Sequence, residues 1–154
     1  MSEVIIRPFA RSDGAAFDAL NRRWIEKYFA LEAKDIEQIE HPQATIIDKG
    51  GQILVAETGG RAMGCVALIK GGEGAYELAK MAVDPDAQRR GIGRLLIEAA
   101  VAWVREQSAT RLWLETNDIL ENALALYRKT GFRDAEWDYD SPYTRCNIVM
   151  DYPL

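Results

Sequence analysis

The chain has 154 residues, of which 48% are hydrophobic and 28% charged, and a formal net charge of −5. That length suits one domain that buries about 70% of its unfolded surface without needing disulfides or a structural metal. The pI near 5.0 argues against a nucleic-acid grip, which needs a basic face, and no apolar run is long enough to span a bilayer.

The first residues, Met1 to Arg7, lack the basic start and long apolar stretch of a secretory signal, so a cytoplasmic protein is expected. Residues 3 to 8 read as a short strand. Ser12 and Asp13 offer helix caps, and Phe17, Leu20, Trp24 and Tyr28 recur at helical spacing. A second helix is predicted from Ala33 to Glu40, ending before His41-Pro42. Three strands follow at Gln52–Glu57, Ala62–Lys70 and Ala75–Val83, joined by glycine-rich turns that suit antiparallel hairpins.

The hydrophobic period then changes from two to 3.6. Ile92, Leu95, Leu96, Ala99, Ala100, Trp103 and Val104 form one face of a helix over about Gly91–Gln107. A strand is expected at Arg111–Asn117. Leu120, Ala123, Leu124 and Tyr127 mark a further helix, with Asp118 and Glu121 spaced as a capping box and Gly131 at its end. Two last strands are read near Phe132–Tyr139 and Arg145–Asp151. The order β-α-α-β-β-β-α-β-α-β-β predicts an α/β chain of the α+β type, one domain over 1–154, with helices on both faces of a mixed sheet.

Cys65 and Cys146 are the only cysteines and His41 the only histidine. Neither a zinc site nor a Cys–His pair has material, so no metal is expected, and both cysteines read as reduced. A disulfide between them would depend on geometry.

The segment Val83-Asp84-Pro85-Asp86-Ala87-Gln88-Arg89-Arg90-Gly91-Ile92-Gly93-Arg94 carries the chemistry. A strand ends, a polar loop turns, and a helix opens on Gly-Ile-Gly. Glycine permits close backbone approach, the first helical turn has free N–H groups, and its dipole favours an anion. Arg89, Arg90 and Arg94 add positive charge. A solvated surface turn is the plainer reading, but the four features together favour a pyrophosphate cradle. No Lys-Ser or Lys-Thr follows, as a P-loop requires. The third glycine of a dinucleotide fingerprint is replaced by Leu96.

This Q-x-x-G-x-G loop resembles the acyl-coenzyme A loop of the GNAT superfamily of N-acetyltransferases. Ala123-Leu124-Ala125-Leu126-Tyr127-Arg128-Lys129-Thr130-Gly131-Phe132 is similar to that family's A-x-x-L-Y-x-x-x-G-F segment. The resemblance implies a GNAT-type fold and acetyl-CoA as co-substrate. By position it gives Met81, Ala82 and Val83 the pantetheine arm and the acyl carbonyl. It gives the pyrophosphate to the main-chain N–H groups of Arg89, Arg90, Gly91, Ile92, Gly93 and Arg94, and counts Gln88, which opens the loop motif, among the cofactor-binding residues. Tyr127 would be the general acid for the leaving thiolate, and Lys129 would meet the nucleotide end.

An amine attacking a thioester needs a base for its proton and donors for the developing oxyanion. Glu77 matches one position at which family members carry a catalytic glutamate, and Glu115 matches another. Both stay open as the base, as does a water relay. Solvated or locally paired glutamates, and a core Tyr127, are the plainer alternatives. The asparagine that the family carries seven residues before the tyrosine is Leu120 here. Asn122 points away around the helix, and Asn117, at the end of the strand, could reach the cofactor instead.

On the substrate side, Asp134, Glu136, Asp138 and Asp140 would share one strand face, attracting a cationic amine or simply facing solvent. Tyr143 and Arg145 would hold a substrate carboxylate or pair with those acids. Trp24, Tyr28 and Phe29 would line an acceptor groove or belong to the core. The expected activity is acetyl transfer to a primary amine, of a small molecule or a peptide. The partners exclude nucleic acid and membrane and leave a homodimer open. A non-catalytic acyl-coenzyme A sensor on the same fold, or a nucleotide-binding module, are the rivals.

Overall fold

A computed structural model describes residues 3–136 and 141–154. The chain order is β1 (Val4–Pro8), α1 (Gly14–Tyr28), α2 (Ala33–Glu40), β2 (Gln52–Thr58), β3 (Arg61–Lys70) and β4 (Ala75–Val83). It continues with α3 (Ile92–Glu106), β5 (Arg111–Thr116), α4 (Glu121–Thr130), β6 (Arg133–Asp134) and β7 (Ile148–Tyr152). The strands form one mixed sheet in the order β1-β2-β3-β4-β5-β7-β6. Only β4 and β5 run parallel; the other neighbours are antiparallel, including the two expected hairpins.

Strand alternation divides the core. Leu54, Ala56, Val66 and Leu68 face α3, meeting Ile92, Leu96, Ile97, Ala100 and Val104. Ile53, Val55, Cys65 and Ala67 face the other way, against Phe17, Leu20 and Ile39 of α1 and α2. Because both faces are covered, β2 and β3 read as nearly continuous apolar runs rather than alternating ones. Leu96 is fully enclosed, a burial worth on the order of 2 kcal/mol.

The feature that positions the site is the parting of β4 from β5. They pair only from Ala75↔Arg111 to Glu77↔Trp113. Beyond Glu77, β5 continues against β7 while β4 stays with β3. In β4 an extra residue lies between the Ala79↔Ala67 and Ala82↔Cys65 pairs, and Lys80 there has φ +52°. This β-bulge bends β4 away and raises its twist. From Leu78 onward the β5-facing edge of β4 is open, so a wedge runs into the sheet.

Several local expectations are corrected. Asp13 does not cap α1: its carboxylate accepts from Ala10 N–H at 2.8 Å and pairs with Arg7 at 2.7 Å, closing a 3-10 turn before the helix. The Asp118–Glu121 capping box does not form. Leu120 occupies the cap, and Asp118 N–H donates instead to Asn147 Oδ1 at 3.0 Å. Of the strand expected over Phe132–Tyr139, the described residues 132–136 carry the two residues of β6. Asp134 there is exposed and paired with Arg128 at 3.2 Å, and Glu136 is exposed. Asp138 and Asp140 lie outside the described residues, as do Trp137 and Tyr139. The last strand begins at Ile148, not Arg145, though Asn147 N–H still donates to the Thr116 carbonyl at 3.0 Å. Cys65 is buried, Cys146 is half-buried, and both are free thiols. Among the described residues no helix is long and apolar enough to cross a membrane, and no cluster of His, Cys, Asp or Glu suits a metal ion.

Candidate active site

Two cavities occupy the wedge. The larger, about 600 Å³, lies between the end of β4, the start of α3 and the start of α4. The smaller, about 90 Å³, lies deeper, between α1, β4, β5 and residues 143–146. Trp24, Met81, Leu120 and Tyr127 line both, so the cavities meet at these four side chains.

The larger cavity collects most of the residues singled out for the cofactor: Met81, Ala82, Val83, Gln88, Arg89, Gly91, Ile92, Gly93, Arg94 and Tyr127. Gly91 stands in the left-handed region at φ +73°, after Arg89 at φ +67°. These turns aim the chain into α3, whose first helical bond reaches from Leu95 N–H back to Gly91. The N–H groups of Ile92, Gly93 and Arg94 therefore have no helical acceptor, and no side chain caps them. They open a 15-residue helix onto the cavity, where the helix dipole favours an anion.

The two glycines serve different ends. An added Cβ at Gly91 would meet nothing, so its backbone conformation is what requires glycine. At Gly93 the Cβ would lie 2.9 Å from Leu126 Cδ2, so this glycine lets α3 and α4 close on each other.

Three expected cofactor residues stand elsewhere. Arg90 lines neither cavity, and its guanidinium donates to Thr58 Oγ1 at 3.3 Å. Lys129 is exposed on α4 and lines neither. Asn117 lines the smaller cavity, where its Nδ2 donates to the Arg145 carbonyl at 2.6 Å and its Oδ1 accepts from Ile119 N–H. Asn122, expected to point away, lines the larger cavity.

The smaller cavity holds both candidate bases. Glu77 comes from the last residue pair joining β4 to β5, and Glu115 from two residues further along β5. Burial, then the charge of Glu115, pushes the Glu77 carboxyl up to about 8. Both oxygens of Glu115 are sealed from solvent and have no hydrogen-bond donor among the described residues. Two carboxylates cannot bond to each other, because neither has a proton to give. A proton on Glu77 is what relieves the pair.

Beside them lies a buried charge network that sequence reasoning largely missed. Lys80 Nζ meets Asp35 Oδ1 at 3.0 Å and donates to Tyr143 Oη at 3.1 Å. Arg145 grips the same Asp35 with two nitrogens, at 2.6 and 2.7 Å, and reaches Glu32 at 3.1 Å. Asp35 is fully buried. Burial alone would raise its pKa, but Arg145 and Lys80 outweigh that and hold the carboxyl below its usual range. Burial pulls Lys80 down, against the pull of Asp35. Arg145 thus pairs with Glu32 and Asp35 of the α2 segment, while Asp134 pairs with Arg128. The sequence signal for Lys80 was a lone lysine in the apolar run Leu78-Ala79-Lys80-Met81-Ala82. For Asp35 there was none.

Tyr127 stands at the junction, edge-on to Phe132 at 5.9 Å, and burial raises its hydroxyl to about 12. Trp24 and Phe29 line the smaller cavity, and Tyr28 the larger.

A sheet split at a bulge, a helix N-terminus facing the split and a tyrosine between two cavities set the frame of the site. The chain belongs to the Acetyltransferase (GNAT) family, which it matches over residues 15–132. It is 43% identical over 58 residues to the ribosomal protein bS18-alanine N-acetyltransferase of Salmonella typhimurium, a stretch covering 38% of this chain and 39% of that protein. It is 39% identical over 84 residues to the IAA acetyltransferase of Azospirillum brasilense, covering 54% and 55%. These alignments span less than two thirds of the relatives' lengths. Among solved structures, a GNAT-family acetyltransferase from Staphylococcus aureus superposes with a TM-score of 0.88 at 20% identity, covering 97% of this chain and 98% of that one. A Bacillus subtilis acetyltransferase in complex with CoA superposes at 0.73 with 21% identity, covering 99% of each.

Proposed function

We propose that this chain binds acetyl-CoA in the larger cavity and transfers its acetyl group to a primary amine held in the smaller one, by direct attack. The observation that carries this reading is the parting of β4 and β5, with Tyr127 where the two cavities join. The open β4 edge at Met81, Ala82 and Val83 suits an amide-bearing pantetheine arm, and the uncapped start of α3 suits its pyrophosphate. The family's N-acetyltransferase relatives support the same chemistry.

The residues divide the work by charge. Two protons must leave an ammonium nitrogen as the carbon–nitrogen bond forms and the carbon–sulfur bond breaks. One ends on the departing sulfur and the other on a base. Glu77, in its ionised form, takes the first proton; its raised pKa matches that task near neutral pH better than an ordinary carboxylate would. Glu115 supplies the negative charge that draws the ammonium in. Tyr127 faces the sulfur. With a thiol near ~8.5 and the tyrosine at about 12, full transfer from the phenol is uphill. Its hydroxyl stabilises the sulfur as a hydrogen-bond donor and passes on the second proton from nitrogen. Alignment of amine and carbonyl across the junction supplies much of the remaining acceleration.

The test is a thermal-shift comparison of acetyl-CoA, NAD and ATP, followed by free-thiol release with a panel of amines. A ligand at a hundred times its Kd stabilises by about 2.7 kcal/mol. Stabilisation by acetyl-CoA alone, with amine-dependent thiol release, is the expected result. Stabilisation by NAD or ATP and not by acetyl-CoA would remove this reading. Stabilisation without thiol release would favour a sensor.

A further inference from the structure

Two acidic and two basic side chains line the smaller cavity: Glu77, Glu115, Lys80 and Arg145. The two cations are already matched. Lys80 and Arg145 share the carboxylate of Asp35, which lies behind the cavity wall, and Arg145 also holds Glu32. The acids are not matched by a cation. Glu77, held protonated up to about pH 8, is the donor beside Glu115, whose buried oxygens have no other donor among the described residues. The pair shares one proton and keeps one buried negative charge, which is costly. What relieves that charge is a cation entering the cavity. A carboxylate arriving on the same molecule would find no cation to itself and would face the charge of the Glu77–Glu115 pair in a low-dielectric cavity.

We infer that the acceptor pocket selects an ammonium flanked by uncharged groups and rejects amines with a free carboxylate next to the reacting nitrogen, the selection being made by Asp35 neutralising Lys80 and Arg145 while the Glu77–Glu115 pair keeps a negative charge that no cation of the cavity matches. This rests on the transfer reading above for the identity of the cavity. Asp35 acts here as a positioning residue. Without it, the same lysine and arginine would form a carboxylate clamp, and the pocket would accept free amino acids. The acceptor class is thus an alkylamine or the amino terminus of a peptide, whose carboxyl is already an amide.

The experiment compares pairs that differ in one charged group: L-alaninamide against L-alanine, and propylamine against β-alanine. Each is assayed for thiol release with acetyl-CoA. Each is also titrated calorimetrically into the protein saturated with CoA, where no turnover occurs. The uncarboxylated member of each pair should lead by about 100-fold or more in both kcat/KM and Kd, as expected for like charges brought together in a desolvated site. Glu115→Gln, which keeps the side chain's shape, should raise the Kd of alaninamide at least about tenfold and shrink the alaninamide-to-alanine ratio. A thermal melt of that variant checks that the fold is kept. Equal use of both members, preference for the acid, or calorimetric binding of neither overturns the inference, and in the first two cases acetyl transfer itself stands. Calorimetric selection for the amide without thiol release from any amine upholds the inference and removes the transfer reading. A peptide beginning with alanine, run beside propylamine, separates a peptide acceptor from a small one.

Discussion

Lys80 of β4 and Arg145 of the segment before β7 meet on one buried carboxylate, that of Asp35, at 3.0 and 2.6 Å. The contact joins residues 45 and 110 positions apart in the chain. It fastens the coil over the smaller cavity to α2 and to the bulged strand.

Asp35→Ala should therefore be among the most damaging single changes in the protein. It leaves a lysine and an arginine buried without their shared counter-charge, which costs about 3–5 kcal/mol in comparable buried pairs. Urea denaturation should show a large fall in midpoint. Arg22→Ala, which removes half-exposed pairs with Asp18 and Glu40, should shift the midpoint by well under a quarter as much. Equal effects would mean that the buried network contributes no more than a surface one.

The Glu77–Glu115 pair should govern the pH dependence. Burial and then Glu115 keep the Glu77 carboxyl protonated up to about pH 8, against opposing pulls from Lys80 and Lys34. The base form gains population only above that value, so kcat/KM should climb through pH 7–9 with an apparent midpoint near 8. Glu115→Gln removes the like charge and should move this limb to lower pH. A limb that does not move would uncouple the two residues. The raised pKa also sets a slope in stability. The folded state holds a proton that the unfolded chain releases above its ordinary value of 4.5. Glu77 contributes most below that pH, and the contribution is lost as pH rises through about 8. Glu77→Gln should thus melt above the unaltered protein at pH 9 and show no such advantage at pH 5.

What could be read from the sequence follows the range of the interactions. The α3 entrance was legible because Gly91, Gly93 and the spacing of Ile92, Leu96 and Ala100 are local signals. The element order and the hairpins were legible for the same reason. The bulge at Lys80 was not, because it arises from the fit of β4 against β3. Nor was the ion network, whose partners meet only once α2 and residues 143–145 have docked. The Asp118–Glu121 pattern misled because Asn147, 29 residues on, takes the Asp118 N–H that a capping motif would leave to the helix. The acidic alternation after Phe132 suggested a longer strand; among the described residues the pairing with β7 runs from Arg133 to Ala135, whose N–H donates to the Val149 carbonyl at 2.8 Å.

Gly91 offers a test of the cradle separate from the chemistry. At φ +73° an L-residue is strained by about 1–2 kcal/mol, and open space around the position removes any clash as the cause. Gly91→Ala should lower the melting temperature by a few degrees and raise the KM for acetyl-CoA, while kcat at saturation changes little. Gly93→Ala presses on Leu126, a flexible side chain that can yield, so its cost falls on α3–α4 packing. A Gly91→Ala variant with unchanged KM would detach this turn from cofactor binding.

Tyr127 is the sharpest test of the mechanism, because its ring and its hydroxyl answer to different roles. The ring packs edge-on against Phe132 in the core, and Phe at 127 keeps that contact. The hydroxyl serves only the junction between the cavities. Tyr127→Phe should leave the melting temperature and the Kd for CoA within error, and lower kcat by about 10²-fold, the usual worth of a positioned proton donor. The loss should be smaller with a thioester whose thiol is more acidic, since a better leaving group needs less help from a donor. A kcat that survives the change, with either thioester, would leave Tyr127 as a core residue that merely borders the site.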